Sequence, residues 1–179
     1  MNHTIEPAAS ARAKCRGCGR VIATDELRFG ERLPNPFAEG TEMTHWFHLP
    51  CAAMKRPEVF LETMLDERFK GSGSDRKRLR KLAEEGIEHR RLPRIDGAER
   101  APTGRAACRS CRELIEKDIW RIRLVFFEEG QFNPSGYIHA TCASEYLGTS
   151  DVVDRIANFS PDLTEKELDE IRKTLNDKR

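Results

Sequence analysis

Apolar and polar positions alternate in two short stretches of the chain. In the first, Leu27 and Phe29 fall on one side and Arg28 and Arg32 on the other. In the second, Trp120, Ile122, Leu124 and Phe126 line one face, with Arg121 and Arg123 opposite. A period of two predicts a half-buried strand in each place. Trp46 and Tyr137 each stand two residues before a histidine, and each predicts a second strand beside the first. Toward the C-terminus the period lengthens. Leu168, Ile171 and Leu175 recur at helical spacing. Thr164-x-x-Glu167 supplies a capping box for that helix, with Leu163 and Leu168 as its hydrophobic staple. A matching helix is expected from near Ser74, with Leu79 and Leu82 inward and Arg76, Lys77, Arg78, Arg80 and Lys81 mostly outward. Residues 88–104 lack periodicity and read as a linker. Strands followed by helices therefore occur twice. The fold expected is α+β: two small modules, 1–87 and 105–179, each a short antiparallel sheet with C-terminal helices.

The segments between the paired strands, "LPNPFAEGTEMTH" and "EEGQFNPSG", are rich in Pro, Gly and Asn and predict surface turns. Each also carries large apolar residues: Phe37 and Met43 in the first, Phe132 in the second. Such side chains either fold back onto their own module or are offered to an apolar surface on a partner.

Composition sharpens this picture. Hydrophobic residues make up 38% and charged residues 34% of 179, too little apolar matter for one large core, so each module needs a staple. No apolar run is long enough to cross a bilayer, and the N-terminal "MNHTIEPAASARAK" has no apolar stretch of a secretory leader. An intracellular protein with no membrane partner is expected, in a compartment where disulfides rarely persist. The net charge of +1 says nothing of a polyanionic partner, but the charge is uneven. Residues 68–94 hold ten basic and four acidic side chains, while residues 143–179 hold nine acidic and six basic.

All six cysteines fall into one repeated pattern. Cys15-x2-Cys18 is followed by His48-x2-Cys51, and Cys108-x2-Cys111 by His139-x2-Cys142. A C-x2-C pair puts two thiolates on one cation through a tight turn, and H-x2-C returns two more ligands from elsewhere. Three sulfurs and one imidazole suit tetrahedral zinc with no open position for a reacting water. Two structural Zn2+ ions per chain are therefore expected, each supplying much of its module's folding energy. A redox C-x2-C would need no matching H-x2-C. His45 could compete with His48, but the second copy has no histidine three residues before His139. His3 and His89 have no counterparts and are expected at the surface.

With the ligands placed, the pattern resembles the PARP-type zinc finger, the strand-break-sensing finger of poly(ADP-ribose) polymerase and one class of DNA ligase. The family's G-R-A-x-C start is matched by "GRAAC" at 104–108 and, without the glycine, by "ARAKC" at 11–15. Its D-x-x-R strand is matched by "DELR" and "DIWR", and its W-Y-H-x2-C by "HWFHLPC" and more loosely by "GYIHATC". "NFSPDLTEKELDEIRKTL" is similar to the segment that closes such fingers.

The resemblance implies sequence-independent binding of DNA nicks, gaps and ends. Arg12 and Arg105 would contact phosphate, as would Arg28 and Arg121 from the strands, and Phe37, Met43 and Phe132 would stack on base pairs exposed at the break. No nucleotide-cradling Gly-rich loop or nucleotidyl-transfer lysine motif is present, so a freestanding, non-enzymatic double finger is expected, monomeric on DNA, with repair proteins as further partners. It would work in the nucleus of a eukaryote or the nucleoid and cytoplasm of a bacterium. Two other readings compete. A zinc-stabilised adaptor would use the loop aromatics to anchor a polypeptide. A zinc enzyme would need an open metal position.

Overall fold

A computed structural model describes residues 3–35, 37–65 and 73–177. The chain forms two compact units, residues 1–88 with 128–132, and residues 89–127 with 133–179. Each contains one three-stranded sheet.

In the first unit the strands are β1 (Thr4–Pro7), β2 (Leu27–Pro34) and β3 (Glu42–His48), paired antiparallel in that order. Helices α1 (Leu49–Lys55), α2 (Pro57–Leu65) and α3 (Gly73–Glu88) follow. Phe29, Phe47 and Phe60 are fully buried, and Phe60 meets Phe29 edge-on at 5.6 Å. The alternation of β2 thus sends Phe29 into the core as predicted. It also sends in Glu31, 1% exposed, which takes a bidentate hydrogen bond from Arg56 at the end of α1, at 2.6–3.0 Å. Helix α3 begins where the spacing predicts, and Leu79 and Leu82 are buried.

The second unit repeats the plan. Strands β4 (Ile95–Arg100), β5 (Trp120–Glu128) and β6 (Gln131–His139) lie in that order, followed by α4 (Ala143–Leu147), α5 (Val153–Phe159) and α6 (Glu165–Asn176). Its core joins Ile122, Leu124, Leu147, Leu168, Ile171 and Leu175. The capping box is present: the Glu167 N–H donates to the Thr164 hydroxyl, and the Thr164 N–H donates to the Glu167 carboxylate at 2.8 Å. Leu163 packs on the same cluster.

Three expectations need correction. Residues 88–104 are not a linker. Leu92–Arg94 make a 3-10 turn, and Ile95–Arg100 form β4, an integral strand of the second sheet. A bulge between Ile95 and Ala98 breaks the alternation that would have revealed it. Gly97 sits in that bulge at φ 101°, where an added Cβ would lie 2.1 Å from the Ser160 hydroxyl. Second, Phe126 does not continue the inner face of β5; it is exposed. Third, the arginine face of β5 is covered as well, and Arg121 is buried.

Candidate metal centres and nucleic-acid interface

Each cysteine pair sits in a tight knuckle built by backbone hydrogen bonds. In the first, the Gly19 N–H donates to the Cys15 carbonyl and the Cys15 N–H to the Arg20 carbonyl, both at 2.8 Å. In the second, the Arg112 N–H donates to the Cys108 carbonyl at 3.0 Å and the Cys108 N–H to the Glu113 carbonyl at 2.8 Å. The turn requires a left-handed residue. Gly19 adopts φ 73° at no steric cost; Arg112 adopts φ 70° against its own Cβ. The returning ligands come from the junction of strand and helix. His48 ends β3 and caps α1, which carries Cys51; His139 ends β6, and Cys142 closes the helical turn after it.

The donor atoms of Cys15, Cys18, His48 and Cys51 lie within 4.8 Å of one another, as do those of Cys108, Cys111, His139 and Cys142. In both, Nδ1 is the imidazole atom that faces the sulfurs, at 3.4 Å from Cys18 and from Cys111. Tetrahedral zinc with ordinary bond lengths sets nitrogen and sulfur about 3.6 Å apart. The Nε2 of His48 lies 3.2 Å from the Val21 carbonyl, so it carries the proton and Nδ1 offers its lone pair inward. The main-chain N–H of His48 donates to the Cys15 sulfur at 3.4 Å, and that of His139 to Cys108 at 3.3 Å.

These donors change one another's acidity. Hydrogen bonds to Cys15 and Cys51 hold the Cys18 thiol far below its ordinary range. Bonds to Cys15 and Cys18 raise His48 to about 10. Burial, then the charges of Cys108 and Cys111, push Cys142 up to about 12. Three thiolates this close repel one another, and a divalent cation removes that repulsion. The donor set, spacing and tautomer all fit zinc, and the two clusters are the protein's two zinc sites. His45 belongs to neither; it is buried in β3, away from the sulfurs, and burial lowers its basicity.

The four predicted arginines divide into two kinds. Arg12 and Arg105, each three residues before a first cysteine, are exposed and make no ion pair among the described residues. Arg28 and Arg121 are engaged. Arg28 lies 3.5 Å over the Trp46 ring and donates to Glu6 at 2.8 Å, with its side chain 12% exposed. Gly30 makes room for that ring, because a Cβ there would meet it at 2.6 Å. Arg121 lies 3.6 Å over Tyr137 and donates twice to Glu99, at 3.0 and 2.5 Å, with its side chain 6% exposed. Arg123 also donates to Glu99, at 3.3 Å.

Sequence reasoning missed Glu6 and Glu99, yet the repeat contains them. Both stand nine residues before a first cysteine, on β1 and β4, so the offset of ninety-three residues that relates Cys15 to Cys108 relates them too. The apolar candidates also differ. Phe37 is 88% exposed at its turn, whereas Met43 is half-buried on β3 opposite Leu33. Phe132 is half-buried in the first compact unit, edge-on to Phe47 at 6.3 Å.

Two closed Cys3His sites, each with an antiparallel sheet and a helical C-terminal part, define a tandem zinc-finger protein. Residues 6–89, the first finger, match the family described as the poly(ADP-ribose) polymerase and DNA-ligase Zn-finger region. It is 29% identical over 156 residues to chicken (Gallus gallus) poly [ADP-ribose] polymerase 1, covering 78% of this chain. It is 30% identical over 139 residues to the Sarcophaga peregrina poly [ADP-ribose] polymerase, covering 69% of this chain. The matches span only 15% and 14% of those relatives' lengths. Among the described residues, no helix is long and apolar enough to cross a membrane.

Proposed function

We propose that this chain binds broken double-stranded DNA, without sequence preference and without catalysing a reaction itself. The observation that carries the reading is the repeated pair Arg12 and Arg105: two exposed guanidinium groups, free of ion pairs among the described residues, at one position beside each zinc knuckle. A guanidinium fork matches phosphate oxygens, and phosphate contacts position a protein without reading sequence. Phe37, exposed at the first loop tip, supplies a ring for the base-pair face that a break uncovers. Such stacking contributes about 1–3 kcal/mol and tolerates any base. Met43 and Phe132, half-buried on β3 and β6, would stack on such a face only through their exposed edges. Arg28 and Arg121 act on phosphate by exchanging it for Glu6 and Glu99. A closed four-ligand zinc site leaves no position for a metal-bound water, which favours binding over catalysis.

One finger caps one side of a break, so two fingers suit a nick. The site of action is then wherever the DNA lies, with repair proteins as natural neighbours. Affinities for nicked, gapped, blunt, single-stranded and intact DNA at one stated salt concentration test this. The expected order places nicked or gapped duplex above intact duplex, with affinity falling as salt rises. Equal binding to all of them, with little salt dependence, would point to the protein adaptor instead.

A further inference from the structure

Helix α3 carries its charges in an order that opposes its own stability. After Asp75, the basic residues Arg76, Lys77, Arg78, Arg80 and Lys81 come first along the helix, and Glu84, Glu85 and Glu88 follow. A helix is electrically positive at its start and negative at its end, so the order of the two groups runs against the dipole. The pairs Arg80–Glu84, at 2.7 Å, and Lys81–Glu85, at 3.5 Å, run basic residue first, the weaker orientation. The counterpart helix α6 has the opposite order. Glu165 and Glu167 stand in its first turn, and Arg172 and Lys173 follow near its end. Both helices bury a leucine-based stripe, so packing does not dictate the difference.

The basic half of α3 faces away from its core. Leu79, Leu82, Ala83 and Gly86 are buried, and the helix packs on α1 and α2. Arg76 is directed to the Met64 carbonyl at 3.2 Å. Lys77, Arg78 and Lys81 are exposed, and Lys77 and Arg78 have no hydrogen bond or ion pair among the described residues. With Ser74, Arg80 and Glu84 they line one shallow, open groove. Among the described residues its lining holds no apolar side chain to anchor a folded polypeptide, and a polyanion needs none. Lys77 and Lys81 are one turn apart, about 6 Å along the axis, a spacing that serves a linear array of phosphates.

We infer that Lys77, Arg78 and Lys81 on the outer face of α3 form a second phosphate-binding surface of the first finger, which holds duplex backbone away from the break. This rests on the DNA-binding reading above. It assigns to the first finger a grip on continuous duplex that the second finger does not share.

The test uses the full zinc-loaded chain and a Lys77→Ala, Arg78→Ala, Lys81→Ala triple variant, on nicked duplexes with short and long flanks at several salt concentrations. On the long flank the variant is expected to lose roughly tenfold or more in affinity, with a log–log salt slope flatter by about two to three. On the shortest flank the loss should be slight. Thermal stability should hold or rise, because the charges removed oppose the helix dipole. Equal affinity and slope for both proteins on every flank would overturn the inference and leave the DNA-binding reading standing. A loss accompanied by a lower melting temperature would make the residues structural and overturn it too. Loss of polyglutamate binding with DNA binding unchanged would assign the surface to an acidic protein partner. Failure of the unsubstituted chain to bind any DNA would instead overturn the broader reading.

Discussion

The two fingers solve one packing problem in different ways. In the first, Glu31 on β2 reaches Arg56 at the end of α1, and the pair ties strand to helix through a largely buried charge-assisted contact. The residues at the corresponding positions of the second finger are Leu124 and Leu147, both in its apolar core. The metal site beside them is the same in each case. A buried ion pair repays its desolvation only with good geometry, and apolar residues of similar size often do as well or better. The comparison teaches that the zinc and its knuckle fix the architecture, while the joint between sheet and helix can be ionic or apolar.

The largest effect should come from what the fingers share. Cys51→Ala and Cys142→Ala should each unfold their own finger, because structural zinc contributes about 10–16 kcal/mol in small zinc modules. Zinc stoichiometry by native mass spectrometry, with circular dichroism, should fall from two to one with half the cooperative signal lost. Zinc must displace protons held by donors such as His48, raised to about 10, and Cys142, raised to about 12. Its apparent affinity should therefore rise with pH, and acidification should release it; competition with a chromophoric chelator measures this.

Next comes the joint itself. Arg56→Ala should destabilise the first finger by about 3–5 kcal/mol, since Glu31 is left buried and unpaired. Replacing both residues with leucine should recover most of that loss, as seen in chemical denaturation of the full chain. If the double replacement is no better than the single one, the ionic joint does something the apolar one cannot.

Smaller changes should appear in binding. Arg12→Ala and Arg105→Ala should each flatten the log–log salt dependence of DNA affinity by about one unit, alike for all sequences. Unequal slopes would show that the fingers do not share the work evenly. The smallest effect concerns the knuckle turn. Arg112→Gly should relieve left-handed strain of about 1–2 kcal/mol but lose part of it to glycine's greater freedom when unfolded. A net gain below about 1 kcal/mol is expected in thermal unfolding, while Gly19→Ala should lower stability by a similar amount.

Much of the site is legible in the amino-acid sequence itself. Ligand spacing named all eight metal donors because tetrahedral coordination admits few arrangements of three sulfurs and one nitrogen. The capping box and the Leu168, Ile171, Leu175 stripe were equally plain, since both rest on short local spacings. Strands β1 and β4 were not. Thr4–Pro7 has four residues, too few for a period to show, and the bulge at Gly97 disrupts the other. With them went Glu6 and Glu99, whose partners Arg28 and Arg121 lie twenty-two residues away, where no local pattern connects them. Only the numerical offset between the two copies joins them, and it extends further than the cysteines alone reveal.

That offset is ninety-three residues from Glu6 through Arg28, but ninety-one from His48 through Cys51. The two residues of difference fall between Arg28 and His48, within the β2–β3 hairpin whose turn bears Phe37. Length changes there have left the ligands and the stacked arginine in step. The turn therefore behaves as an exchangeable cassette on a metal-pinned frame. Recognition can diversify within it, or be grafted onto it, while the frame folds as before.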